Sequence, residues 1–153
     1  MSPQDIARYL AVAKARVVAS TYPDDLVLAA DTIVAVGDTL CGKPVDPSDA
    51  AHMLRRLSGS THTVVTGVAL VCQNKGMEVV DSQISSVQMR TLTGQEIDTY
   101  VASGDWCGKA GGYGIQDDDP FVTRLTGSHT NIVGLPMEIV LPMLTQAGIK
   151  RTH

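Results

Sequence analysis

The chain has 153 residues, enough for one domain with its own core, and 44% of them are hydrophobic, which argues against global disorder. Its formal net charge of −4 makes it a poor wrapper of nucleic acid, which needs a broad basic surface. Binding one small anion needs only a local cluster of donors and stays open.

Ser2-Pro3 reads as a helix N-cap followed by proline at the first helical position, and Ile6, Tyr9, Leu10, Ala13 and Val17 keep helical spacing to about Ser20. Tyr22-Pro23-Asp24-Asp25 breaks the helix. Leu26 to Val36 is a nearly continuous apolar run with one acid, Asp31, and reads as a strand buried on both faces. Gly37-Asp38 turns the chain. Asp46-Pro47 opens a second helix with Ala50, Met53, Leu54 and Leu57 as its apolar stripe, and Gly59 ends it. Thr61 to Gln73 and about Met77 to Thr91 read as two strands joined by an Asn74-Lys75-Gly76 turn. Thr93-Gly94-Gln95-Glu96 is a capping box for a short helix. A glycine-rich stretch, Gly108 to Gly114, precedes an acidic loop at Asp117-Asp118-Asp119-Pro120. Phe121 to Leu125 reads as a strand. Gly134-Leu135-Pro136 begins a last helix that Pro142 is expected to kink or end early. The mixture of elements predicts an α/β fold, a mixed twisted sheet flanked by helices.

Cys41, Cys72 and Cys107 are widely spaced and form no C-x-x-C pair, which argues against structural zinc and fits reduced thiols in a cytoplasmic protein. No signal peptide and no membrane span are expected.

Asp31 is the most telling residue. An unpaired carboxylate is costly inside an apolar strand, so it is best placed at the strand's end, facing a cleft. There it could hold a metal ion or take a proton from water; it could equally cap a turn or pair with a lysine. Lys43, between Gly42 and Pro44, and Lys109, within Gly108-Lys109-Ala110-Gly111-Gly112-Tyr113-Gly114, are candidate phosphate contacts. The Walker A spacing and G-x-G-x-x-G are both absent. Thr61 and Thr63 could bond a ligand or stabilise a strand edge. His62 lacks a second ligand at zinc spacing. The acids from Asp117 to Asp119 could attract a divalent cation or form a solvated turn.

The order of these segments resembles one known family. Ala30-Asp31-Thr32-Ile33-Val34, Gly42-Lys43-Pro44, Met53 to Gly59 and Thr61 to Leu70 are similar to the central blocks of the Maf family of nucleoside triphosphate pyrophosphatases. Tyr100-Val101, Lys109 to Gln116 and Val133-Gly134-Leu135-Pro136 resemble its C-terminal blocks. The resemblance implies an α/β fold like that of inosine triphosphatases. It implies hydrolysis of a nucleoside triphosphate to monophosphate and pyrophosphate with a divalent metal, Mg or Mn, and usually a homodimer. It places Asp31 at the proton acceptor and as a metal contact, and Lys43 and Lys109 at phosphate-facing positions. Thr32 and Gln116 match the branch acting on dTTP and UTP, with modified pyrimidine nucleotides as further candidates, and Thr61 falls in a block that contacts substrate.

Two departures bear on these expectations. The family begins with a strand and a Ser-x-Ser-Pro-Arg-Arg loop, whereas Met1 here falls downstream of that loop. The chain is therefore read as a single Maf-like domain, residues 1–153, without that strand and loop. The alternatives to an active enzyme are a truncated domain that binds nucleotide or associates without efficient turnover, and a misplaced start codon. The second departure is Gln116-Asp117-Asp118-Asp119-Pro120, where relatives carry a glycine-containing loop.

Overall fold

The computed structural model describes residues 1–114 and 121–149. A five-stranded sheet of order β2-β1-β3-β4-β5 is built from β1 (Val27–Val36), β2 (Thr39–Cys41), β3 (Thr61–Cys72), β4 (Met77–Met89) and β5 (Val122–Thr126). Helix α1 (Pro3–Thr21) covers one face. Helices α2 (Pro47–Leu57), α3 (Gly94–Ser103), the single-turn α4 (His129–Ile132) and α5 (Met137–Gln146) accompany the other. The expected α/β class holds. A mixed sheet was expected in detail, but every pairing among the described residues is antiparallel. Short turns account for β1–β2 and β3–β4, because parallel neighbours need a long crossover. β1 and β2 are joined through Gly37-Asp38, β3 and β4 through residues 73–76, and α2 returns the chain to the sheet end it left.

β3 is central and buried along almost its whole length. Its alternating residues feed two cores. Val64, with Val34, Leu54, Leu57 and Val87, packs under α2 and α3, and Val68 and Leu70 meet Val140 and Met143 of α5. On the opposite face Val65, Ala69 and Val71 meet α1. That helix presents Ala7, Ala11, Ala15 and Ala19, each 0% exposed. A side chain of one carbon every fourth residue lets the helix axis lie unusually near the sheet. Gly67 completes the approach: a Cβ there would sit 2.2 Å from the Ala7 carbonyl oxygen.

The boundaries follow local chemistry. Ser2 and Asp5 form a reciprocal capping box on α1, and Thr93 and Glu96 form the one expected on α3. Asp46 caps α2, and Gly59 leaves it with a left-handed φ of 68°. Pro142 does not end α5, which runs four residues further to Gln146. Pro142 sits on the exposed side of the helix, and Glu138, whose carbonyl it has no N–H to bond, lies in the first turn. β1 is also less buried than expected. Only Val34, Ala35 and Val36 pair with β2, so residues 28–32 form an outer edge of the sheet among the described residues. No helix among the described residues is long and apolar enough to cross a membrane.

Candidate active site

A cleft of about 250 Å³ opens at that outer edge of β1. Successive residues of a strand point to opposite faces, so a cleft straddling the edge can receive both Asp31 and Thr32. Asp31 stands mid-strand opposite Gly67, rather than at the strand's end as expected. The missing β2 pairing at this height is what makes a mid-strand carboxylate reachable. Its side chain is 15% exposed and bonds the Lys14 ammonium from α1. Both sequence readings of Asp31, cleft-facing acid and lysine partner, therefore apply at once.

Lys43 and Lys109 line the same cleft, so among the described residues its lining carries three lysines and one carboxylate. The Gly111 N–H donates to the Gly42 carbonyl at 3.0 Å, and this tie holds the Lys109 loop against the Lys43 segment. Ala110 to Gly112 form one 3₁₀ turn, in which Gly111 has φ 73°. A Cβ on Gly111 would lie 3.0 Å from Val34 and 3.2 Å from Leu57, so this glycine allows packing against the core rather than contact with a ligand. Gly114 does serve the site, since the Lys109 side chain lies 3.2 Å from where its Cβ would be. The far wall is neutral: Ala30, Thr32, Ile132, Val133 and Gly134.

Tyr113 borders the cleft and is held from behind. Ser60 Oγ donates to the Leu57 carbonyl at 2.6 Å and lies 3.1 Å from His62 Nδ1. With its single proton spent, Ser60 can only accept there, which places the imidazole proton on Nδ1. Nε2 is then an acceptor, and the Tyr113 hydroxyl donates to it at 2.6 Å. Burial pushes His62 down from 6.5 to about 4 and the Tyr113 phenol up. Native His62 thus resists a proton that unfolded His62 accepts near pH 6.5. Its contribution to stability is complete above pH 6.5 and is lost as pH falls through about 4, amounting to roughly 3 kcal/mol. Urea denaturation should therefore show a loss of stability between pH 7 and pH 4.5 that is smaller in His62→Gln. Identical pH slopes in the two proteins would refute the neutral state of buried His62.

Thr61 is not brought to the site. It is exposed at the start of β3, opposite Gln88 and five residues from Thr66, roughly 17 Å along the strand at about 3.3 Å per residue. Gln116 and Asp117 to Asp119 lie outside the described residues. The sequence reading missed Lys14 and Tyr113. Lys14 had one signal, its place beside the buried Ala7-Ala11-Ala15 stripe of an otherwise small-residue helix face.

An α/β scaffold with three lysines and a carboxylate in a cleft at a sheet edge has the chemistry to take an anionic ligand. The chain belongs to the Maf-like protein family, which it matches over residues 1–147. It is 43% identical over 148 residues to a dTTP/UTP pyrophosphatase of Koribacter versatilis, covering 96% of this chain and 76% of that protein. A Caulobacter vibrioides protein of the same name is 44% identical over 150 residues, covering 97% and 77%. One from Bacillus cereus strain B4264 is 42% identical over 153 residues, covering 99% and 79%.

Proposed function

We propose that this chain is a nucleotide pyrophosphatase that hydrolyses dTTP and UTP to the monophosphate and pyrophosphate. The observation that carries the reading is Asp31, the one carboxylate among the described residues of the cleft, which Lys14, Lys43 and Lys109 line with it. The names of its relatives support the choice of substrate.

In this reading Asp31 takes the proton of the attacking water, and its bond to Lys14 orients the carboxylate. Lys43 and Lys109 bind the triphosphate and stabilise the charge that develops on the leaving pyrophosphate. Thr32, with Gln116, reads the base. Among the described residues no group of three or more His, Cys, Asp or Glu could hold a metal ion by itself. One carboxylate suits a cation that arrives with the substrate, since Mg²⁺ is typically held by one or two carboxylates plus phosphate oxygens. Asp31 would hold such an Mg²⁺ or Mn²⁺, which would neutralise phosphate charge. Assembly as a homodimer, which rests on the family resemblance, and a cytoplasmic location, which rests on the three widely spaced cysteines, belong to the same proposal.

The test is a panel of triphosphates with Mg²⁺ or Mn²⁺, assayed for pyrophosphate. Release from dTTP and UTP should exceed that from ATP and GTP by roughly 10²-fold or more, at least the discrimination that pocket shape alone supplies. Equal rates across the panel would remove the pyrimidine reading.

A further inference from the structure

Thr32 opposes Thr66 across the β1–β3 ladder, and their Oγ1 atoms are 2.8 Å apart. Thr66 is fully buried and donates to the Asn131 main-chain carbonyl at 3.0 Å. A hydroxyl has one proton to give. With it spent on a carbonyl, Thr66 can only accept from Thr32. The reverse arrangement would set the Thr66 and Asn131 oxygens against each other at 3.0 Å with no proton between them, inside the core.

The Asn131 carbonyl is fixed in place. The Asn131 amide side chain donates to the Val64 carbonyl at 3.0 Å and to Ser85 Oγ at 2.9 Å. Its backbone N–H donates to Ser128 Oγ at 3.0 Å, and the carbonyl itself also receives the Gly134 N–H at 3.0 Å. The Thr32 proton therefore points inward, and its remaining lone pairs are what it offers to the cleft it lines. Gly134 keeps that hydroxyl uncovered, since even a Cβ there would reach to 3.5 Å of Thr32 Oγ1.

We propose that buried Thr66 is a positioning residue that fixes Thr32 as a hydrogen-bond acceptor toward the cleft, so that the site selects bases carrying a ring N–H, the imide of uracil and thymine, over cytosine. The proposal rests on the cleft being the nucleotide site. Uracil and thymine present N3–H between two carbonyls and can donate to Thr32. Cytosine presents a bare N3, which would meet acceptor with acceptor. Gln116 adds what its amide contributes, but the sign of the N3 choice comes from the Thr32–Thr66–Asn131 relay.

The test uses calorimetric binding of UMP, CMP and 3-methyl-UMP, with UTP and CTP turnover in parallel. The unaltered protein should bind UMP about tenfold or more tightly than either CMP or 3-methyl-UMP, the scale of one mismatched buried hydrogen bond. Thr66→Val frees the Thr32 proton to face the cleft, so the UMP:CMP ratio should fall about tenfold, while Thr66→Ser keeps the relay and the ratio. Thr32→Val removes the acceptor on a partly exposed strand and should abolish discrimination against 3-methyl-UMP, a readout that survives if Thr66→Val does not fold. Equal weakening of UMP and CMP in the valine variants, or equal binding of UMP and 3-methyl-UMP by the unaltered protein, overturns the relay. UTP turnover without a uridine preference would sink this inference alone, whereas absence of both nucleotide binding and turnover would sink the function on which it rests.

Discussion

Asp31→Asn should lower pyrophosphate release from UTP by about 10² to 10⁴-fold, the usual scale for removing a positioned general base. Asparagine keeps the size and one acceptor oxygen of aspartate, but it cannot take a proton from water. The loss should fall on kcat, because Lys43 and Lys109 still line the cleft. The fold should be nearly unaffected. The pair that Asp31 makes with Lys14 is partly exposed, at 15% and 48%, and such pairs contribute about 0 to 1 kcal/mol. Steady-state kinetics alongside a thermal melt checks both halves. A variant that melts like the unaltered protein and turns over within tenfold of it would remove Asp31 from the chemistry.

Gly67→Ala should be the most damaging glycine-to-alanine change in the chain. The added Cβ would stand 2.2 Å from the Ala7 oxygen, 2.3 Å from the Ala7 carbonyl carbon and 2.6 Å from the Arg8 nitrogen. All three are backbone atoms of α1, so no rotamer change relieves the clash. The helix must lift, and its four alanines must leave the sheet together. Overpacking of this kind costs about 3 kcal/mol or more. Activity should fall as well, because Gly67 faces Asp31 across the ladder and α1 carries Lys14. Gly94→Ala is the control: its Cβ would meet nothing within 4 Å, and it begins α3, where alanine should stabilise by up to about 1 kcal/mol. Urea denaturation curves for the two variants should move in opposite directions. A Gly67→Ala midpoint unchanged from the parent would contradict the close packing of α1.

Much of the fold was legible because capping and periodicity are local. Ser2-Pro3, Asp46-Pro47 and Thr93-Glu96 each mark a helix start that the structure places within a residue, and the valine-rich runs become β3 and β4. β2 and α4, of three and four residues, carry too little pattern to be seen. Pro142 misled because a proline costs less at a solvent-facing helix position whose neighbours Val140 and Met143 are anchored in the core. The site was half legible. Asp31, Thr32, Lys43 and Lys109 stood out by type and order, and the structure brings all four to one cleft. Lys14 could not be placed without knowing that α1 lies over β1. Thr61 stands apart from the cleft lining, because membership of a sequence block says nothing about distance along a strand. The inward polarity of Thr32 is a property of three segments meeting at Thr66 and Asn131, invisible in any one of them.

Which phosphorus is attacked separates a pyrophosphatase from a phosphatase. Phosphorus-31 spectra of the protein incubated with UTP and Mg²⁺ should show UMP and inorganic pyrophosphate rising together, with neither UDP nor orthophosphate as first products. UDP with orthophosphate, or UTP left intact under conditions where the chain is folded, would contradict it.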